Sequence, residues 1–288
     1  MLKTKKYFYD GDQIYESDEV CNASTMAERV LSDPELPELE EVVIGCWGES
    51  YDNSIQDLLN SFVENKDKLQ HIKSLFVGDM GFEECEVSWI EQGDYEELLK
   101  ALVNLKKLTI KGSNGLSFGK IDHPNLEELE IICGGLPGRV MEQIADAHLP
   151  KLKKLNLYLG VEDYGFESDP VYIEKLLNSD VIKNLEYLGL GDSEIQDDIV
   201  EAIMKLDTLE NLKVLDLSNG TLTDKGGALL LENEDRLKSL EKLDLTHHFL
   251  SNDMMKAFED SSINAVLDEQ QEADEYNGEL YYYAMLTE

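Results

Sequence analysis

The chain repeats one short pattern, Leu-x-x-Leu-x-Leu with Val or Ile at some of the apolar positions, eight times. The eight copies begin at Leu39, Ile72, Leu105, Leu126, Leu152, Leu185, Leu212 and Leu240. Successive copies start 33, 33, 21, 26, 33, 27 and 28 residues apart, near the period of roughly 20–29 residues typical of leucine-rich repeats. One such unit cannot bury its own apolar face, so the units must stack. The pattern predicts an α/β leucine-rich-repeat solenoid (horseshoe) of about eight repeats, with a parallel concave sheet and convex helices.

The repeats divide the chain into three predicted parts: an N-terminal cap (1–35), the solenoid (36–262), and an acidic linker with a C-terminal capping segment (263–288). In the cap, FYDGDQIY (8–15) is expected to form a strand and a hairpin turn. The last 22 residues contain no Lys or Arg, so LDEQQEADEYNGE is expected to be a solvated linker. The closing ELYYYAMLTE is apolar enough to pack, and we expect it to cover an open edge of the solenoid.

Apolar residues at helical spacing predict helices between several of the strands. The predicted helices cover 25–31, 140–149, 171–180, 196–209 and 251–260. Ser251 is a candidate N-cap for the last of these helices. The interval between the copies at Leu105 and Leu126 is too short for a full helix, so a turn is expected there.

The charge of the chain is strongly negative, with 61 Asp and Glu against 25 Lys and Arg, a net of −36. Phosphate groups would be repelled, which argues against nucleic acid and anionic membrane surfaces as partners. The outward positions 3, 5 and 7 of the eight strands carry five acids and four lysines, so the excess of acid lies on helices, loops and tail. The expected partner is a protein or peptide, and the acidity of the chain either steers a basic partner of this kind or keeps the protein soluble.

Compartment and cofactor use are predicted from what the sequence lacks. It has no apolar run long enough to cross a bilayer and no secretory signal, which predicts a cytoplasmic protein; we also expect a monomer. The four cysteines form no close pair, so we expect reduced thiols, no metal and no cofactor. No nucleophile elbow, phosphate-binding loop or metalloprotease motif occurs, which predicts a protein that is not an enzyme.

Candidate binding residues cluster where the strands end. Two insertions, 78–97 and 160–170, follow strands directly and therefore lie on this rim, where long loops either carry function or are merely tolerated. The rim offers acids beside aromatic residues, and aromatic residues and charge complementarity are typical of interface hot spots. The candidate residues of the rim and the adjoining concave face are Trp47, Asp79, Trp89, Tyr158, Asp163, Tyr164, Tyr187, Asp192 and His247. A competing interpretation buries the tryptophans in the loops and uses the aspartates to brace turns.

The chain also shows two resemblances to known proteins. The spacings of 26–28 residues and the helical returns resemble the ribonuclease-inhibitor-like class of leucine-rich repeats, which implies an inner parallel sheet and outer helices. The segments GCWG (45–48), GDMGFEECEVSWI (78–90), LGLGDSEIQD (188–197) and DLSNGTLTDKG (216–226) resemble a family of uncharacterised bacterial leucine-rich-repeat proteins. Those proteins are similar in ending with an acidic stretch and a short aromatic segment, and some are encoded near peptide-modifying enzymes.

The favoured function is a non-enzymatic scaffold that binds a protein or peptide through the concave face and the strand C-terminal rim. In this hypothesis, basic groups of the partner face Asp79 and Asp192. Two alternatives stay open: a protein that binds a small ligand or cation through rim carboxylates, and an accessory subunit of a peptide-modifying enzyme.

Overall fold

The computed structural model describes residues 2–16, 18–206 and 209–287. The chain forms two compact units. The first consists of Met1–Cys133 and Asp146–Leu152, and the second of Gly134–Ala145 and Lys153–Thr287.

The first unit contains five strands that pair in parallel in sequence order. They are β1 (Thr4–Tyr7), β2 (Glu41–Ile44), β3 (Ser74–Val77), β4 (Lys107–Lys111) and β5 (Glu128–Ile132). The last four coincide with the first four copies of the repeat. β1 precedes the first copy and pairs with β2 in register, Tyr7 beside Ile44. The amino-terminal segment therefore contributes a strand to the sheet.

Helices connect the strands of the first unit. They are α1 (Gly11–Tyr15), α2 (Ala23–Leu31), α3 (Gln56–Glu64) and α4 (Glu96–Ala101), with 3-10 turns at Leu36–Glu38, Lys66–Lys68 and Val87–Trp89. The hairpin turn expected within 8–15 is wrong, because Asp10 forms a capping box with Gln13 and starts α1 there. Asn22 caps α2 in the same way.

The second unit contains five further strands, again parallel and in sequence order. They are β6 (Lys154–Gly160), β7 (Tyr187–Ser193), β8 (Val214–Asp216), β9 (Lys242–Asp244) and β10 (Ala265–Val266). An antiparallel hairpin follows, made of β11 (Asp274–Tyr276) and β12 (Glu279–Tyr281). Its turn residues Asn277 and Gly278 have φ of 53° and 83°, as tight hairpins require. Part of the expected acidic linker is therefore a hairpin.

The helices of the second unit lie between its strands. They are α5 (Gly138–Ala145), α6 (Pro170–Leu177), α7 (Gln196–Ile203), α8 (Asp224–Glu232), α9 (Glu234–Leu237) and α10 (Asn252–Glu259), with 3-10 turns at Glu162–Tyr164, Asp180–Asn184 and Leu209–Asn211. Ser251 caps α10 as predicted, since its side chain accepts the N–H of Met254. The helix expected over 196–209 ends at Ile203, and residues 207–208 lie outside the described part of the chain.

The core is built from positions 4 and 6 of the repeated pattern, because alternate side chains of a strand point to one face. All sixteen such residues are at most 1% exposed. Equivalent positions of neighbouring strands align, as with Leu188 beside Leu215. Complete burial of one aliphatic side chain contributes about 1.5–3 kcal/mol. The predicted α/β leucine-rich-repeat fold is confirmed.

Candidate functional site

The nine candidate residues divide between the two units. Trp47, Asp79 and Trp89 lie in the first unit, and Tyr158, Asp163, Tyr164, Tyr187, Asp192 and His247 lie in the second. Each unit therefore carries its own candidate surface.

Trp47 follows β2 and is fully buried. Its ring nitrogen Nε1 donates to the carbonyl oxygen of Asn53 at 2.8 Å, so its polar atom is satisfied inside the loop. The Trp47 side chain therefore offers no exposed surface in this structure. Here the competing interpretation, a tryptophan packed within its loop, describes the structure.

Asp79 is half-exposed at the end of β3, and its carboxylate pairs with the ammonium of Lys6 at 2.9 Å. Lys6 belongs to β1, the strand that the repeat pattern does not include. The Asp79 carboxylate is thus partly neutralised within the protein. A basic group of a partner would have to compete with Lys6 for it.

Trp89 has a different position from Trp47, because it projects from the 78–97 insertion with 56% of its surface exposed. Phe82 in the same insertion is 64% exposed, and Tyr51 is 44% exposed. These three aromatic side chains line a shallow depression of about 330 Å³ together with Glu83, Glu84, Cys85 and Glu86. We call Tyr51, Phe82, Glu83, Glu84, Glu86 and Trp89 the acidic aromatic surface.

The insertion holds this surface through buried residues and a local hydrogen bond. Cys85, Val87 and Ile90 are buried, and they alternate with the residues that face solvent. Glu84 Oε2 accepts the N–H of Gly81 at 2.8 Å, which closes the turn before them. Burial raises the pKa of the Cys85 thiol to about 11, so this cysteine is a packing residue with little thiolate at neutral pH.

The sequence identified Trp89 but did not identify Phe82 or Tyr51. Phe82 lies in the insertion already singled out as a rim loop. Tyr51 lies in the loop after β2. The pKa of its hydroxyl is raised, mainly by burial and to a smaller extent by the charge of Glu49 and the interaction with Tyr15. No local pattern indicates that Tyr51 and the later insertion line the same depression.

In the second unit, Tyr187 is held by its neighbours on the sheet. Its hydroxyl donates to Asp216 Oδ2 on β8, and the Lys154 ammonium lies 4.5 Å from the centroid of its ring. Tyr158 on β6 and Tyr164 in a 3-10 turn are partly buried, while Asp163 is exposed. These residues contribute polar and aromatic groups, but most of the Tyr187 functional groups are already engaged.

Asp192, Asn219 and His247 occupy the same place at the ends of β7, β8 and β9. All three have left-handed backbones, with φ of 54°, 68° and 60°, where Asn, Asp and His are enriched. We call them the rim residues. They face the C-terminal segment of the chain, residues 282–287; Asp192 is fully buried, and Asn219 and His247 are partly exposed.

The C-terminal segment contacts each rim residue in turn. The N–H of Leu286 donates to Asp192 Oδ1 at 2.8 Å, and the N–H of Met285 donates to the Asn219 carbonyl at 2.8 Å. The His247 Nε2 atom lies 3.2 Å from the Tyr283 carbonyl oxygen. The backbone amide of Leu286 thus occupies the position beside Asp192 that was predicted for a basic group of a partner, and the partner contact stays a prediction.

The environment of the Asp192 side chain disfavours a charged carboxylate. It is fully buried, and its Oδ2 atom has no hydrogen-bond partner among the described residues. Burial raises the pKa of its carboxyl to about 8, against the opposing effect of the Leu286 and Met285 amides. The neutral acid is thus the main form at neutral pH.

The acids on the helical side of the second unit are ion-paired. Asp198 lies 2.8 Å from the Lys225 ammonium, and Glu201 lies 3.0 Å from that of Lys205. Both acids border a depression of about 540 Å³ between α6 and α7. Asp198 and Glu201 are therefore acids outside the acidic aromatic surface, and their reversal changes the net charge without changing that surface.

Within the described ranges, no three His, Cys, Asp or Glu side chains come together in a way that could hold a metal ion. No helix in this part of the chain has the length and apolar character required to span a bilayer.

Parallel strands at every copy of the repeat, joined by helices, define a leucine-rich-repeat protein. A crystal structure of a Bacteroides fragilis protein from the Northeast Structural Genomics Consortium superimposes on this chain with a TM-score of 0.88. The two sequences are 40% identical, and the alignment covers 99% of this chain and 77% of that one. The chain belongs to the same family as that Bacteroides fragilis protein.

An internalin from Listeria monocytogenes is a more distant structural neighbour, with a TM-score of 0.40 and 14% identity over 83% of this chain and 63% of that chain. A similarity at that level supports no inference about function. No protein-family model and no curated protein matches the chain.

Proposed function

We propose that the protein is a non-enzymatic module that binds a basic segment of another protein through the acidic aromatic surface of its first unit. The observation that carries this proposal is the group of three exposed aromatic side chains, Tyr51, Phe82 and Trp89, around one depression bordered by glutamates. Contiguous exposed apolar groups are uncommon on monomeric proteins and often mark interaction sites.

The chemistry of this surface favours a cation. A Lys or Arg side chain over an aromatic ring gains about 0.5–2 kcal/mol, more as the site loses water. Glu83 and Glu86 add charge complementarity, which accelerates encounter and selects against acidic partners. The aliphatic stem of Lys or Arg can at the same time cover the apolar floor of the depression.

A leucine-rich-repeat scaffold suits this role. Its stacked strands hold the insertion on a rigid base, and rim loops are where such folds commonly place binding residues. Trp89 and Phe82 can therefore present apolar area without the cost of ordering a long flexible loop on binding.

The test selects twelve-residue peptides from a random phage library on the purified full chain. We expect the selected peptides to be enriched in Lys and Arg. Binding of a selected peptide should fall at least tenfold on Trp89→Ala, which removes an exposed anchor. It should fall to a similar extent on Glu83→Lys with Glu86→Lys.

A matched control reverses two acids elsewhere, Asp198→Lys with Glu201→Lys, and changes the net charge by the same amount. This control should retain binding within about twofold. If both double variants lost peptide binding equally, binding would depend only on the net negative charge of the protein. If Trp89→Ala bound the peptide as tightly as the unchanged protein, the acidic aromatic surface would not be the binding site. Either result contradicts the proposal.

A further inference from the structure

The C-terminal segment lies across the rim of the second unit much as a bound peptide would. It runs from β9 toward β7, with Tyr283 at His247, Met285 at Asn219 and Leu286 at Asp192. Three residues of extended chain span about 10 Å, and two steps between neighbouring strands span about 9.6 Å. Three residues of chain therefore suffice for the crossing, with two residues for the first step, one for the second and a bend at Met285.

Most of these contacts involve the main chain of the segment, and its large side chains stay largely outside. Tyr283 and Met285 are 58% and 59% exposed. Two contacts depend on side-chain identity: Ala284 is buried, and Tyr282 packs edge-on against Phe249 with ring centroids 5.1 Å apart. Little apolar area is buried, so the hydrophobic contribution to docking is small.

The connection that leads to the segment is exposed. The hairpin β11–β12 is exposed along both strands, and an isolated two-stranded hairpin is only marginally stable in water. The rim residues, in contrast, are set by the ends of three core strands. The rim is thus fixed by the sheet, while the hairpin that leads to its occupant packs against little else.

Unpaired buried polar atoms in and beside the rim, at Asp192 and at Gln196 next to Gly220, support a binding role for the rim. Asp192 Oδ2 and Gln196 Oε1 are buried without a hydrogen-bond partner among the described residues. Such atoms are costly for a fold and call for an explanation beyond packing.

We propose that the rim residues Asp192, Asn219 and His247 form a binding groove for a short peptide segment, and that residues 282–287 are its exchangeable occupant. The peptide that fits carries an aromatic residue, a small residue two positions later, and then two apolar residues. This site shares no residue with the acidic aromatic surface, so each proposal can fail while the other holds.

The test frees the segment without altering the groove. A specific protease site is inserted between Asn277 and Gly278, in the exposed turn, and cleaved in the folded full chain. A fluorescein-labelled peptide of residues 279–288 is then added and its anisotropy followed. We expect the label to exchange into the cleaved protein and not into the intact one, because the tether holds the resident segment at a high effective concentration.

Two peptide variants locate the contact. Ala284→Gln places a larger polar side chain in the buried position and should weaken binding at least tenfold. Met285→Gln makes the same type of change at the exposed neighbour and should keep binding within about twofold.

Three results would overturn the proposal. The cleaved segment could stay bound through prolonged dialysis, or its removal could unfold the second unit by circular dichroism; either would make it an integral part of the fold. Equal affinity of the two glutamine peptides would show that the groove does not discriminate between side chains at position 284.

Discussion

Asp192 Oδ1 accepts the backbone N–H of Leu286 at 2.8 Å, and the two residues are 94 positions apart in the sequence. The bond joins the end of a core strand to the last residues of the chain. It satisfies one oxygen of a fully buried carboxyl and leaves the other unpaired among the described residues. The protonation of Asp192 is therefore linked to the stability of the native state.

The first prediction follows from the sign of that linkage. The pKa of Asp192 is about 8 in the native state and about 3.9 in an unfolded chain. Below about pH 4 both states hold the proton, so Asp192 adds no penalty. Between about pH 4 and 8 the native state keeps a proton that the unfolded state releases, and stability falls by up to about 1.4 kcal/mol per pH unit. Above pH 8 the penalty is constant.

Asp192→Asn isolates this contribution, because asparagine keeps the acceptor oxygen, tolerates the left-handed backbone and cannot ionise. The free energy of unfolding, measured by urea titration from pH 5 to 9, should show an advantage of the variant that grows as pH rises. An advantage that does not change with pH would mean that the carboxyl is already ionised in the native protein.

The second prediction contrasts the two tryptophans. Trp47→Ala should destabilise the protein by about 3–5 kcal/mol, because it empties a packed site and removes the hydrogen bond to Asn53. Trp89→Ala should change stability by less than about 0.5 kcal/mol, because the side chain is exposed. Urea unfolding of both variants measures the difference. Similar losses in the two variants would contradict the assigned burial.

The strands and the core could be predicted from the sequence because their signal is local. Leu188 and Leu190 point inward for the same reason that any two residues at alternate positions of a strand do. The α10 cap at Ser251 could be predicted for the same reason, since the side chain bonds to an amide three residues away. β1 lies outside the repeated pattern, so no leucine spacing indicated that Lys6, on the strand beside β2, would reach the Asp79 carboxylate.

The candidate residues near the strand ends were harder to interpret because their partners are remote in sequence. Asp79 pairs with Lys6, and Asp192 bonds with Leu286. Neither contact can be predicted from the spacing of nearby residues in the sequence. Trp47 and Trp89 each follow a strand, and the difference in their exposure is set by how each loop packs. The sequence indicated where polar and aromatic side chains concentrate. It did not indicate which of these side chains bond to other residues of the same chain.

The third prediction concerns the four cysteines, none of which forms a disulfide in the structure. Cys21 is partly exposed, while Cys46, Cys85 and Cys133 are buried. At pH 7.5 a thiol reagent should modify at most one site quickly in the native protein, and Cys21→Ser should abolish that phase. The denatured, non-reduced protein should release four thiols. A count of two or fewer, or rapid modification of Cys85, would contradict the structure.

The fourth prediction tests the alternation of side chains along a strand with two neighbours on β8. Leu215 is fully buried, so Leu215→Asp places a charge in the core without a partner and should cost about 3–5 kcal/mol. Val214 faces the other way and lies beside Lys242 on β9, so Val214→Asp adds the same charge next to a cation and should cost about 1 kcal/mol or less. Thermal and urea unfolding should separate the two variants clearly. Comparable losses, or a larger loss at Val214, would mean that the register of β8 is displaced by one residue, since such a shift exchanges the inner and outer faces of the strand.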